Sequence, residues 1–127
     1  MITKEQILRL HERSIADFGG SLGIRDEGGL DSSVARPFAT FGGEQLYPEP
    51  HQKAAALFES LIRNQPFVDG NKRTAAVAAG VLLMMYEMQF NASDGDFYEM
   101  EIAAIEQHWD IDAITQWFAQ HIQPLDI

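Results

Sequence analysis

Residues Asn64 to Ala75 read N-Q-P-F-V-D-G-N-K-R-T-A, and their order points to anion chemistry at the start of a helix. Pro66 and Gly70 bend the chain after one helical pattern ends at Asn64, and a second helix is expected to open at about Asn71. Its continuation, Thr74 to about Met88, is apolar nearly all round, the mark of a helix buried on every side. Asn71, Lys72 and Arg73 break that pattern. Two cations at a helix N-terminus oppose the macrodipole, by roughly 0.3–1 kcal/mol each when exposed, so stability alone would place acids there. A bound anion reverses the sign. Free backbone N–H groups, a glycine that allows close approach and two cations make a phosphate cradle. The alternative is a capped turn with solvated charges, Asp69 being an ordinary helix N-cap. No G-x4-G-K-S/T occurs, so the stretch is not a Walker A loop.

The elements that must hold this bend are helical. His51 to Arg63 places Ala54, Leu57, Phe58, Leu61 and Ile62 on one helical stripe and delivers Gln65 at its end. Thr3 starts a first helix, with Gln6 three residues on as a capping box. Ile7, Leu10, Ile15 and Phe18 give that helix its stripe, and Gly19-Gly20 ends it. His11 lies near the stripe and reads as a buried structural histidine, since it has no partner at ligand spacing. Leu30 to Arg36 makes a short helix stopped by Pro37. Phe38 to Pro50 has no helical period and suits a hairpin or an ordered loop pinned by Phe38, Phe41 and Tyr47. Gln89 to Gly95 turns, with Ser93 or Asp94 able to cap a helix through Phe97, Met100, Ile105 and Trp109. A last helix after Asp112 carries Ile114, Trp117, Phe118 and Ile122. The expected fold class is all-α, five to seven helices around a buried central one, with a short flap, and residues 1–127 form a single domain.

Composition narrows the function. At 127 residues the chain can bury about two-thirds of its unfolded surface. It has no cysteine, which excludes a disulfide framework and thiolate metal sites. A net charge of −10 cannot furnish a large basic face, which argues against direct action on nucleic acid. Lys72-Arg73 is the only adjacent Lys-Arg pair. Met1 to Gln6 is polar, no early apolar run follows, and Ala75 to Tyr86 is too short to span a bilayer. The expectation is a cytoplasmic protein with no membrane contact.

The residues Phe67, Asp69, Gly70, Asn71, Lys72 and Arg73 match, in order and spacing, the H-x-F-x-D/E-G/A-N-G/K-R motif of the Fic family. The flanks G-I-R-D-E-G-G-L (Gly23 to Leu30) and A-R-P-F-A-T-F-G-G-E (Ala35 to Glu44) resemble its Doc-like, death-on-curing toxin branch. The resemblance implies a nucleoside triphosphate such as ATP across the start of the central helix. Gly70 and Asn71 would present backbone N–H groups, and Arg73 forked bonds to phosphate oxygens. Asp69 would hold Mg²⁺ through the phosphates, and the Asn71 amide would orient the transferred phosphorus. Lys72 would lie near the phosphate that leaves or is transferred. The 38–50 region corresponds to a flap that aligns a target polypeptide.

Three positions depart from the broader Fic pattern. Ala76 replaces a second arginine and Lys72 a usual glycine. Both favour transfer of the terminal phosphate to a Ser or Thr hydroxyl, elongation factor Tu being the target the family suggests, over transfer of a nucleotide monophosphate. Gln65 replaces the histidine that serves the family as general base. An amide does not titrate, and losing a general base costs ~10²–10⁴ in rate, so nucleotide binding is expected to survive and catalysis to be impaired. His51 sits ~20 Å up the same helix by helical rise and cannot substitute. No inhibitory S/T-x-x-x-E-G/N segment is present, so inhibition is expected from a separate antitoxin protein. The rival reading is a Fic-like module that binds nucleotide or partner without chemistry.

Overall fold

The first helix begins where Thr3 closes a reciprocal cap. Its hydroxyl accepts from the Gln6 N–H at 3.2 Å, and the Gln6 side chain accepts from the Thr3 N–H at 2.9 Å. This helix, α1, runs Lys4–Phe18 and stops at Gly19. The computed structural model describes residues 1–126, in which five more α-helices follow. They are α2 (Glu27–Ala35), α3 (Pro50–Asn64), α4 (Asn71–Met85), α5 (Asp94–Glu106) and α6 (Ile111–Gln120). The all-α expectation holds.

Two short antiparallel ribbons tie the loops. β1 (Thr40–Phe41) pairs with β2 (Glu44–Gln45) across a turn at Gly42-Gly43, both at positive φ. β3 (Met88–Phe90) pairs with β4 (Ile122–Pro124), with Gln89 opposite Gln123. The second ribbon fastens the chain end to the exit of α4. Sequence pattern alone had made Gln89 to Gly95 a turn and run Ile122 into the last helix.

The helix at the centre is α3. Its residues Lys53 to Phe58 are buried without a break, and it packs against α2, α4 and α6. Around it gather Ile7 of α1, Leu30 of α2, Ala78 and Leu82 of α4, and Ile114 and Phe118 of α6. The expectation that α4 is buried on every side is corrected. Val77, Met84 and Met85 are exposed, because α1, α3 and β3 cover only part of α4 among the described residues.

Two boundaries move for identifiable reasons. α2 starts at Glu27 because Asp26 caps it, accepting from the Gly29 N–H at 2.9 Å; Gly28-Gly29 hid that first turn. Asp110, not Asp112, caps α6 by accepting from the Ala113 N–H. Phe18 belongs to no core stripe, being 69% exposed. Of the three residues expected to pin the flap, Phe38 packs against the core and the Tyr47 hydroxyl accepts from Arg36 Nε at 3.1 Å, whereas Phe41 is 81% exposed. Buried Lys53 adds a further anchor, donating to Gln45 Oε1 at 2.6 Å and to the Tyr47 carbonyl. Burial lowers the Lys53 ammonium's pKa, partly opposed by Glu49. No helix among the described residues is long and apolar enough to cross a membrane.

Candidate active site

The bend between α3 and α4 is built from backbone inward. α3 ends on Gln65, whose φ of 44° lies in the left-handed region. For a non-glycine residue that conformation costs about 1–2 kcal/mol. Arg25 offsets it: its Nη2 and Nε donate to the Gln65 carbonyl at 2.6 and 3.2 Å. The same passage of chain closes along the loop. Arg25 and Asp26 N–H groups donate to the Pro66 carbonyl, the Val68 N–H donates to the Gly23 carbonyl, and Ile24 bridges Phe67. The Gly23 to Asp26 segment therefore fixes which way residues 65–68 face.

His11 supports the loop from beneath. It is 3% exposed, stacks on Phe67 at 3.8 Å with the rings within 6° of parallel, and donates from Nε2 to the Asp69 carbonyl at 2.8 Å. That bond sets the tautomer, because a carbonyl can only accept. His11 is structural, as expected, but its partner is the motif itself. The available signal was one polar residue on the Ile7, His11, Ile15 face of α1. His11→Ala is expected to destabilise the fold by about 2–4 kcal/mol, by opening a cavity under Phe67 and leaving the Asp69 carbonyl without its donor. His11→Phe should lose only the hydrogen-bond part, and urea denaturation of the two variants would separate the contributions.

Gly70 and Gly20 sit at φ 75° and 115°, where side chains are strained, and a Cβ on either would also crowd its neighbours. Gly70 is the N-cap of α4 at φ 75°, and a Cβ there would lie 3.1 Å from Ile15 Cδ1. A Cβ on Gly20 would meet Asp69 Oδ2 at 2.7 Å. Asp69 is not the N-cap. Its Oδ1 accepts from the Gly70 N–H at 2.8 Å and its Oδ2 from the Ser21 N–H at 3.2 Å. The Gly70 N–H is thus engaged by its neighbour's carboxylate. The Asn71 amide accepts from the Phe67 N–H and donates to the Phe67 carbonyl, both at 2.9 Å, so it shapes the loop. The donors that remain are the N–H groups of the first turn, Asn71 to Arg73, which precede the i−4 ladder and receive no side-chain cap.

Gln65, Asp69, Gly70, Asn71, Lys72 and Arg73 all line one hollow of about 1060 Å³. Lys72 and Arg73 are exposed; the Arg73 guanidinium rests 4.5 Å from the centroid of the Phe18 ring. Ala76 and Val77 continue the lining along α4, and Phe97, Tyr98 and Glu101 of α5 line the same hollow. The sequence reading had singled out neither Arg25 nor Glu101. Glu101 is 6% exposed, and its Oε2 has no hydrogen-bond partner. Burial pushes its carboxyl up to about 8, with the Lys72 charge pulling partly back. An acid beside Met100 and Ala104 on an apolar helix face was the sign available.

Glu101 therefore keeps its proton in the folded chain across the interval from 4.5 to about 8, where the unfolded chain has lost it. The folded state binds more protons there, so unfolding free energy falls as pH rises through the interval. Glu101→Gln is expected to flatten that slope, little changing stability at low pH and raising it above the interval, as urea melts at the two extremes would measure.

The Fic/DOC family model matches residues 1–83. Toxin Doc of Mycolicibacterium smegmatis (strain ATCC 700084 / mc(2)155) is 53% identical over 75 residues, which is 59% of this chain and 58% of that one. Protein kinase doc of Escherichia phage P1 is 29% identical over 82 residues, 65% of this chain and 64% of that one. Each match spans less than two thirds of the relative's length. With Asp69 to Arg73 lining the hollow at the start of α4 and the family model running through that bend, this chain belongs to the Fic/DOC family.

Proposed function

We propose that this chain is a Doc-like toxin scaffold. Its activity is transfer of the terminal phosphate of ATP to a Ser or Thr hydroxyl of a protein, impaired here by Gln65. The observation that carries the reading is the shared hollow: Gln65, Asp69, Lys72 and Arg73 open onto one space at the uncapped N-terminus of α4. Two relatives carry the names "Toxin Doc" and "Protein kinase doc", which supports a toxin and a phosphate donor. Elongation factor Tu as target and a separate antitoxin protein come from the family resemblance. The net charge of −10 favours a protein over a nucleic-acid substrate.

In the proposed step the hydroxyl oxygen attacks the terminal phosphorus, the bond to the bridging oxygen breaks, and ADP leaves with that electron pair. Arg73 and Lys72 face the charge that spreads over the phosphate oxygens, and the first-turn N–H groups of α4 add donors. The hydroxyl proton, which the Gln65 amide cannot take, passes to a non-bridging oxygen of the transferred phosphate, a poorer base than a positioned imidazole, which is why the step is slow. Asp69 fits a Mg²⁺ ion, because two backbone N–H bonds hold its exposed carboxylate and leave lone pairs free. Among the described residues no three His, Asp or Glu side chains gather, so one carboxylate plus phosphate oxygens is the available donor set, as Mg²⁺ accepts. The bound ion would neutralise phosphate charge. Ala76 on the α4 side offers no second guanidinium, which favours phosphate over nucleotide transfer.

Calorimetry with ATP and Mg²⁺, then labelling by the Gln65→His variant with γ- or α-marked ATP, tests the reading. Binding and γ-label on a protein hydroxyl are expected. Label from the α position would make the reaction nucleotide transfer. Binding with no label from either would leave a non-catalytic module, and absence of binding would end the proposal.

A further inference from the structure

Arg25 acts on the bend separately through its backbone and its side chain. Its N–H and that of Asp26 donate to the Pro66 carbonyl at 2.7 and 3.0 Å, and the Val68 N–H returns a bond to the Gly23 carbonyl at 3.0 Å. The guanidinium reaches one residue further back. Its Nη2 and Nε converge on the Gln65 carbonyl at 2.6 and 3.2 Å, and Nη2 also lies 3.5 Å from the Asn64 carbonyl. These carbonyls close α3, where the helix offers them no partner and a cation suits the dipole. Asn64 is fastened independently, its Nδ2 donating to the Gly29 carbonyl and to Ser33 Oγ of α2. The loop beyond Pro66 also has its own supports. Phe67 is held by the Ile24 bridge, the Asn71 amide and the His11 ring. Asp69 is held by Ser21 and His11. Gln65 is different: among the described residues, its side-chain partners are the two nitrogens of Arg25 alone. It is exposed, lines the hollow, and stands at the strained φ of 44°.

We propose that Arg25 is a positioning residue for the reacting hydroxyl: its guanidinium holds residue 65 in the left-handed conformation that presents the side chain there to the hollow. Nucleotide binding is left to the rest of the loop. Without the guanidinium, residue 65 tilts toward the right-handed values that L side chains prefer, and its Cβ moves with it. The Pro66 bonds survive truncation of the side chain, because they come from backbone N–H groups. The kinetic part of this inference rests on the phosphate-transfer reading above; the conformational part does not.

Arg25→Met placed in the full-length Gln65→His chain tests the assignment. Single-turnover transfer from γ-labelled ATP to elongation factor Tu is expected to slow by about 10–100-fold, since a misplacement of about 1 Å can cost that much. Calorimetric affinity for ATP with Mg²⁺ should not change, which also shows that the variant is folded. Arg25→Lys should recover only part of the rate, because an ammonium cannot reproduce the fork. Backbone NMR shifts read the conformation without any need for activity. Arg25→Met in the unmodified chain should move residue 65 out of the left-handed range and leave Asp69 to Arg73 in place. Undiminished transfer, or shifts at residue 65 that stay put, overturns the positioning role. Loss of ATP affinity together with rate overturns it too, since the arginine would then support the whole loop. Gln65→His with Arg25 intact transferring no phosphate would instead overturn the transfer reading, and the residue 65 shifts then decide the role of Arg25. If the Met variant fails to fold, Arg25→Lys carries the same comparisons.

Discussion

Replacing Gln65 with histidine is expected to raise the rate of phosphate transfer by ~10²–10⁴, the usual contribution of a positioned general base. Gln65 is exposed on the rim of the hollow, and Arg25 fixes its backbone through the residue's own carbonyl. The site therefore presents whatever side chain stands there at a set place, without depending on that side chain for its shape. An imidazole accepts a proton in the neutral range; the glutamine amide can only hold the hydroxyl. The backbone does not resist the exchange, because histidine is among the residues enriched in the left-handed region. Stability should change by no more than about 0.5 kcal/mol, as for an exposed position away from the core. Single-turnover transfer from γ-labelled ATP measures the gain, with Gln65→Asn as a control that should stay slow. Intact ATP binding with a rate no higher than that of the unmodified chain would show that the missing base is not what limits this site.

Arg73→Ala is expected to weaken ATP binding by about 10–100-fold, the loss of hydrogen bonds to a charged group. Arg73 stands in the first turn of α4, and in the free protein its guanidinium leans over Phe18. That ring is itself 69% exposed, so the contact is worth only about 0.5–1 kcal/mol, less than a forked phosphate bond returns. The arginine is parked there and remains available. Arg73→Lys should recover little of the affinity, because an ammonium cannot form the planar fork. Phe18→Ala should tighten binding slightly, by no more than about 5-fold, by removing the competing perch. Affinity of the Ala variant should also fall less steeply with added salt. Calorimetry across a salt series reads all of these, and an Ala variant that binds like the parent would remove Arg73 from the site.

Much of the site was legible because its members are neighbours in sequence. Pro66 and Gly70 stop and restart helices by local sterics, and two cations at a helix start conflict with the dipole wherever the helix is placed. The role of each polar atom was less legible. Nothing local shows that the Asn71 amide also closes onto the Phe67 backbone. Asp69 reads as a cap until Ser21, 48 residues away in sequence, donates to it. Long-range partners of this kind leave no periodic trace.

By itself, the sequence determined the helical class, the cap at Thr3, a cap at Ser93 or Asp94, the bend at 64–71 and the absence of a titrating base at position 65. All of these follow from side-chain type, spacing and backbone sterics within a few residues. Only the tertiary structure decided that α3 is the central helix, although α4 is more uniformly apolar. It also placed His11 and Arg25 as supports of the loop and brought Glu101 and Lys72 to the lining of one hollow. Those outcomes depend on which surfaces other elements cover and on which distant groups meet, and burial is a property of the packed whole that no local stretch of chain contains.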